Sequence, residues 1–225
     1  ANDQRNHDRC RQQLETDIAG FAFPTHLMPV SQQGGPHLLA VQMAPALRFE
    51  DTIDYIDWVE RLRAYGEFID FNIELMREGI AAGWVPPKAV MQRVPAQIAA
   101  QRVDLPEQSS FFAPFLEMNA QVPATEQARL REEARVAVRD VVLPALERFE
   151  TFFNETYLPA APASVATGDL PNGRAYYDYL AQLYTTTNLS ADAIHAIGLK
   201  EVARIRAKME TVKNEAGFKG TLPEF

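Results

Sequence analysis

The sequence predicts an all-α fold in which long helices pack into a multi-helix array. Apolar residues recur every three or four positions through several long stretches, and this periodicity is typical of helices that bury one face. Strand signals are scarce, since no β-branched run alternates with polar residues and no Asn-Gly pair joins two such runs. Hydrophobic residues make up 47% of the 225 residues, which is enough to form a packed core.

The composition argues against several classes of protein. The net charge is −8 and no basic stripe is present, which disfavours binding to a nucleic-acid backbone. No stretch of about 18 apolar residues predicts a membrane-spanning helix, and the single cysteine, Cys10, cannot form an internal disulfide. The chain does not begin with Met or with a signal-peptide core, and its last residues resemble the beginning of a new segment. We therefore expect it to be part of a longer protein.

The first helix is predicted over residues 3–19, with Leu14 and Ile18 on its inner side. An irregular stretch rich in Pro, Gly and Gln follows, and ordered loops of this length are often functional. His26 and His37 lie in this stretch. We interpret both as ordinary solvated loop histidines, because polar loop residues usually face water.

The clearest helix begins at a cap, Asp51 or Thr52, and ends at Gly83. About 30 residues at 1.5 Å each give a length of roughly 45 Å, which implies a large helical body. Trp58 and Trp84 are interpreted as core or domain-contact residues. The apolar positions that define the buried face are Ile53, Ile56, Val59, Leu62, Ile69, Ile73, Met76 and Ile80.

Two further helices contain prolines. Pro87 is suited to the first position of a helix over residues 88–101, which Pro95 should kink or split. The aromatic segment "SSFFAPFLEM" that follows is predicted to be buried. A second long helix is predicted from Thr125 to Tyr157, with a kink at Pro144.

A Pro/Ala/Gly-rich linker near residues 158–173 interrupts what is otherwise a single helical region over residues 1–225. It leads into a short helix that carries Gly173, Tyr176 and Tyr177, the one unusual cluster in the sequence. A helix start exposes backbone amides, Gly173 permits close backbone approach, and tyrosines offer a flat apolar body with a hydroxyl group. These residues are therefore candidates for binding a peptide-like substrate. The alternative is that the tyrosines fill a core or a seam between helices.

The last helix begins at the N-cap Ser190 and ends near Gly217. Gly198 and Glu201 fall inside its apolar stripe, and His195 falls at the edge. We expect Gly198 to mark a close helix crossing and Glu201 to form a buried ion pair, because an unpartnered buried carboxylate is costly. The stripe consists of Ile194, Ile197, Val202, Ile205, Met209 and Val212.

Motifs that carry catalysis are missing from the sequence. It contains no H-E-x-x-H zinc motif, no G-x-S-x-G nucleophile turn, no P-loop and no G-x-G-x-x-G loop. Four scattered histidines and one cysteine make a local zinc cluster improbable. We expect neither a catalytic residue nor a metal ligand in this chain.

Several segments resemble one family along essentially the whole chain and in the same order. They include "FPTHLMPVSQQGG", "DYIDWVERLRAYGEFIDFNIELMREGIAAGW", "LPNGRAYYDYLAQLYTTTNLSADAIHAIGLKEVARI" and "GFKGTLPEF". The family is the bacterial domain of unknown function 885. The resemblance implies a large helical protein similar to zinc metallopeptidases of the thermolysin-like clan. The family's metal motif, a His-Glu pair followed by Gly-His-His, lies further downstream and is absent from these residues.

This resemblance implies that the chain is a scaffold and a wall of the substrate cleft in a zinc-dependent peptidase or related hydrolase, and is not catalytic by itself. Gly173, Tyr176 and Tyr177 would then face the cleft, with Tyr177 as the first choice. No cofactor is expected in this chain, although zinc is expected in the longer parent. The implied partners are the remaining C-terminal part of that parent and a peptide-like substrate. The implied location is the periplasm or envelope, with a lipoprotein leader upstream. The alternative is a non-catalytic helical module that binds a protein through its acidic faces and the loop Thr25–Pro45.

Overall fold

The computed structural model describes residues 2–225, and the side chains of all of these except Asn2 and Ala40. Every regular element among the described residues is helical, so the predicted all-α fold is confirmed. The chain divides into two compact units. The central unit is Pro24–Ala166, and the terminal unit combines the residues up to Phe23 with Thr167–Phe225. The boundary after Ala166 lies inside the predicted linker.

Seven α-helices and two π-helical segments form the central unit. The helices are α2 Leu39–Met43, α3 Thr52–Ala82, α4 Lys88–Met91, α5 Val94–Ala99, α6 Ala124–Ala137, α7 Leu143–Phe152 and α8 Leu158–Ala160, and the π segments are Val138–Val142 and Phe153–Tyr157. The terminal unit contains α1 Asn2–Gly20, α9 Gly173–Thr185 and α10 Ala191–Glu215. Short 3-10 turns occur at Thr25–Leu27, Pro36–Leu38, Ala44–Ala46, Pro106–Gln108, Ala113–Phe115, Thr167–Asp169 and Leu222–Glu224.

Helix α3 begins and ends at the predicted residues. The Asp51 carboxylate accepts hydrogen bonds from the amides of Ile53 and Asp54, and the Asp54 carboxylate accepts one from the amide of Asp51. This capping box satisfies amides that have no partner inside the helix. Hydrogen bonds from the amides of Asp51 and Glu50 lower the pKa of Asp54 below its usual range. At the other end Gly83 adopts a left-handed conformation with φ 71°, which glycine tolerates at a helix end.

The core of the central unit is aromatic and aliphatic, and it lies where α3 packs against α6 and α7. The indole N–H of Trp58 donates to the carbonyl of Phe111 at 2.9 Å, and the Tyr65 hydroxyl donates to the carbonyl of Pro36 at 2.9 Å. These bonds satisfy the polar ends of large buried rings. Phe111, Phe112 and Phe115 are buried, so the prediction of a buried aromatic segment is confirmed for its three phenylalanines, whereas Leu116 is 57% exposed. Ile53 was predicted on the buried face but is largely exposed, since it lies in the first turn of α3.

Two prolines have different effects. Pro95 lies in the first turn of α5, and the predicted helix is split into α4 and α5 just before it. Pro144 does not end its helix, which continues from α6 through α7 to α8. Instead, the π segment Val138–Val142 contains Asp140, whose carbonyl the Pro144 ring would meet in a regular α-helix. Pro159 has the same relation to the second π segment. The wider π turn accommodates each proline without a break.

His37 is buried, so its interpretation as a solvated loop residue is wrong. Its ring stacks on Phe149 with centroids 5.8 Å apart, and its Nε2 lies 3.1 Å from the Oε1 atom of Gln97. The 3-10 turn Pro36–Leu38 holds the ring there. Burial lowers the pKa of His37, although the bond to Gln97 acts in the opposite direction. His26 is exposed, as expected.

Several expectations for the terminal unit are wrong. Leu14 and Ile18 of α1 are 56% and 67% exposed, so they do not form an inner side. The stripe of α10 is not buried either, because no residue of that helix is buried. A Cβ placed on Gly198 would meet no atom within 4 Å, and Glu201 pairs with Arg204 at 2.8 Å in a half-exposed position. The predicted close crossing and buried ion pair are therefore absent from the described residues, and His195 is exposed.

Candidate functional site at the start of α9

Gly173 begins α9 and is buried. The residue before it, Asn172, adopts a left-handed conformation with φ 57°, and the Gly173 amide donates to the carbonyl of Leu170 at 2.8 Å. A Cβ on Gly173 would lie 2.0 Å from the carbonyl oxygen of Thr167. The turn Thr167–Asp169 thus occupies the space that the missing side chain leaves. Gly173 permits a close approach, and the group that approaches is the chain's own backbone at Thr167. This contact fixes the position of the start of α9.

Tyr176 packs inside the terminal unit. Its ring centroid lies 5.0 Å from that of Phe23 and 6.4 Å from that of Tyr179, and Phe23 also contacts Tyr179 at 5.3 Å. Partial burial is the main cause that raises the pKa of Tyr176, with smaller effects from Tyr184 and Tyr179. Tyr176 on α9 therefore packs against Phe23, which lies three residues after the end of α1. This is the packing expected for tyrosines that fill a seam between helices.

Tyr177 lies on a different side of α9 and is 49% exposed. Consecutive helical residues point about 100° apart, so Tyr176 can pack while its neighbour faces outward. Among the candidate residues of the sequence, Tyr177 alone presents a large exposed surface; Gly173 is buried and Tyr176 is partly buried. The assignment of these residues to substrate binding stays a prediction.

The charges near Tyr177 come from three exposed side chains. The Arg174 guanidinium lies 3.9 Å from Asp178 and 3.7 Å from Asp192 in the first turn of α10. One cation beside two carboxylates leaves a local charge of −1. This arrangement disfavours an anionic ligand and suits a neutral peptide group or a cation.

Sequence reasoning missed an open polar cleft between α1 and α9, with a volume of about 490 Å³. It could not be found from local patterns, because its two walls come from opposite ends of the chain. Amide and hydroxyl groups dominate its lining, which can form hydrogen bonds to a polar molecule. Its lining includes Arg9, Gln12, Thr16, Tyr179, Gln182 and Asn188.

The described residues contain no group of three or more His, Cys, Asp or Glu side chains that could hold a metal ion. In the same part of the chain, no helix has the length and apolar character needed to cross a membrane.

The sequence model of the family described as "Bacterial protein of unknown function (DUF885)" matches residues 1–225. The chain belongs to the DUF885 family. One solved structure similar to this DUF885 chain is that of a "putative lipoprotein" from Colwellia psychrerythraea, with a TM-score of 0.73 and 25% sequence identity. The match covers 88% of this chain and 34% of the other, so this chain spans about a third of that relative's length. No curated protein matches the chain.

Proposed function

We propose that this DUF885 chain is the helical scaffold and one wall of the substrate cleft in a longer, envelope-located hydrolase of the zinc-dependent peptidase type. The observation that carries the proposal is the locked start of α9, where Gly173 packs on Thr167–Asp169 and Tyr177 is exposed. A side chain on a fixed helix turn can be positioned against a substrate more accurately than one on a loop. The solved relative is about three times as long as the matched part, which leaves room for a catalytic part elsewhere.

Zinc would supply an activated water and polarise the scissile carbonyl in such an enzyme. Among the described residues of this chain, no suitable group of ligands exists, so none of them is assigned to the metal. Their contribution is to bind and orient the substrate. The Tyr177 hydroxyl can donate a hydrogen bond to a peptide carbonyl, and its ring can pack against an apolar side chain. The negative local charge around Arg174 favours a neutral peptide backbone over an anionic ligand.

The test uses the longer parent protein and a peptide-hydrolysis assay. Tyr177→Phe removes only the hydroxyl, so it should lower kcat/KM by about tenfold, the loss of one hydrogen bond, while the unfolding midpoint changes little. Tyr184→Phe is the matched control, because Tyr184 is also exposed but lies near the far end of α9. Equal activity in the Tyr177 variant, or equal losses in both variants, would contradict the cleft assignment. Absence of any hydrolytic activity in the parent would refute the proposed function itself.

A second candidate function is a non-catalytic module that binds another protein. The exposed apolar face of α10 would serve this function if a separate protein, and not further chain of the same protein, covers it. A measurement of activity in the parent separates the two candidates.

A further inference from the structure

The apolar face of α10, defined here as Ile197, Val202, Ile205, Met209 and Val212, is exposed along most of the helix. The exposed fractions of these side chains lie between 46% and 63%. Their spacing of three to five residues places them on one side of α10. A protein surface in water rarely leaves a continuous aliphatic face of this length uncovered.

The shape of this face suits a helix. Gly198 lies within it, and a Cβ there would meet no atom within 4 Å, so a second helix can approach the backbone closely at that point. Near its C-terminal end the face widens into a groove of about 370 Å³, to which Ile205, Met209, Val212 and Phe225 contribute apolar walls. Arg204 and Lys208 also line this groove, and because Arg204 is paired with Glu201, Lys208 is the cation that a ligand can meet. Its ligand should therefore combine an apolar face with an acidic flank.

The greater length of the solved relative suggests a candidate for what covers the face, namely further chain of the same protein. The solved relative has the same fold over the matched part, and about two thirds of its chain lies outside that part. In a protein of that length, further chain would be present at a very high effective concentration and would outcompete separate molecules for an apolar surface.

We propose that the apolar face of α10 is the binding site of an amphipathic helix from the part of the DUF885 protein that lies outside these residues. The helix packs its apolar side against Ile205 and Met209, crosses closely at Gly198, and places a carboxylate beside Lys208. This is the helix-in-groove mode of recognition. The inference shares with the proposed function the premise of a longer protein, but it requires neither zinc nor hydrolysis.

The experiment compares two substitutions in the 225-residue chain and in the longer protein that contains it. Ile205→Asp places a charge in the centre of the face. Leu199→Asp is the matched control, because Leu199 is 60% exposed and points about 120° away from the centre of the face. Thermal unfolding, fluorescence of a dye that binds apolar surfaces, and sedimentation are measured for each protein.

In the 225-residue chain, Ile205→Asp should leave the unfolding midpoint within about 1 °C, because the side chain is already exposed, and should lower dye fluorescence at least twofold. In the longer protein, the same substitution should lower the midpoint by roughly 5 °C or more, because a charged group replaces an aliphatic contact between two packed helices. Leu199→Asp should have little effect on either protein.

Three outcomes would overturn the proposal. The first is an unchanged midpoint for Ile205→Asp in the longer protein, and the second is a reading frame without further chain. The third is a dimer of the 225-residue chain that Ile205→Asp dissociates and Leu199→Asp preserves, since this would identify a second copy as the occupant. None of these readouts depends on activity. If the parent is inactive but Ile205→Asp destabilises it, the proposed function is refuted and the proposed helix-binding face is still supported.

Discussion

At the residue scale, identical residue types have opposite environments in this protein. His37 is buried against Phe149 while His26 faces solvent, and Gly173 is enclosed by backbone while Gly198 is open. These differences cannot be assigned from residue type. The environment determines which substitutions change the stability of the protein. In each pair, substitution of the exposed residue is a control for substitution of the buried one.

His37 should make the stability of the chain depend on pH. Burial lowers the pKa of His37 below its ordinary value of 6.5. Well above pH 6.5 the ring is neutral in both the folded and the unfolded state. As the pH falls towards the folded-state pKa, the unfolded chain binds a proton that the folded chain does not, so stability is lost.

The measurement is the unfolding midpoint between pH 8 and pH 5. The wild-type chain should lose more stability over this range than His37→Phe, which keeps an aromatic ring against Phe149. His26→Phe should behave like the wild type, since His26 is exposed. Identical pH profiles for the wild type and His37→Phe would show that His37 does not titrate differently on folding.

The two glycines give opposite expectations for alanine. Gly173→Ala forces a Cβ to within 2.0 Å of the Thr167 carbonyl oxygen, so the free energy of unfolding should fall by about 2 kcal/mol or more. Gly198→Ala meets no atom within 4 Å in the interior of an exposed helix, so it should stabilise the chain by up to about 1 kcal/mol. Urea unfolding of the 225-residue chain measures both. A destabilising Gly198→Ala in this chain would restore the close crossing that the sequence predicts.

At the element scale, α3 shows how local signals define a helix. The capping box of Asp51 and Asp54 begins it, and the left-handed Gly83 ends it. Between them, buried residues recur on one face and contact α6 and α7. Position and length were predictable because caps and periodicity act within a few residues of the chain.

Removing the cap should weaken α3 measurably. Asp51→Ala deletes the acceptor of two amide hydrogen bonds, which should lower the free energy of unfolding by about 1 kcal/mol. Asp57→Ala is the control, because Asp57 is exposed in the helix interior, where alanine is favourable. Urea unfolding compares the two variants, and equal stability in both would mean that the cap contributes nothing.

At the scale of the whole molecule, the division into two units follows the loss of regular structure after α8. Residues 163–166 are exposed and belong to no helix, and the central unit ends at Ala166. Pro162 is exposed too, but its carbonyl accepts a hydrogen bond from the amide of Lys88 at 2.7 Å, which ties it to the start of α4.

Proteases should therefore cut first within residues 163–166. Exposed loops with small or polar residues are the preferred sites of nicking. Brief digestion with proteinase K, followed by intact mass measurement, should give fragments that end or begin there before cleavage occurs within α3 or α6. Early cleavage inside those helices would contradict the assigned boundary.

The sequence by itself determined the fold class, the family, the buried aromatic segment and most helix ends, because caps, prolines and periodicity act over a few residues. It also identified Tyr177 as a candidate beside Tyr176. The tertiary structure alone decided which of these tyrosines packs, that His37 is buried, and that the apolar face of α10 is exposed. Periodicity shows that a helix has an apolar face, but burial also requires a second surface, and that surface comes from distant residues.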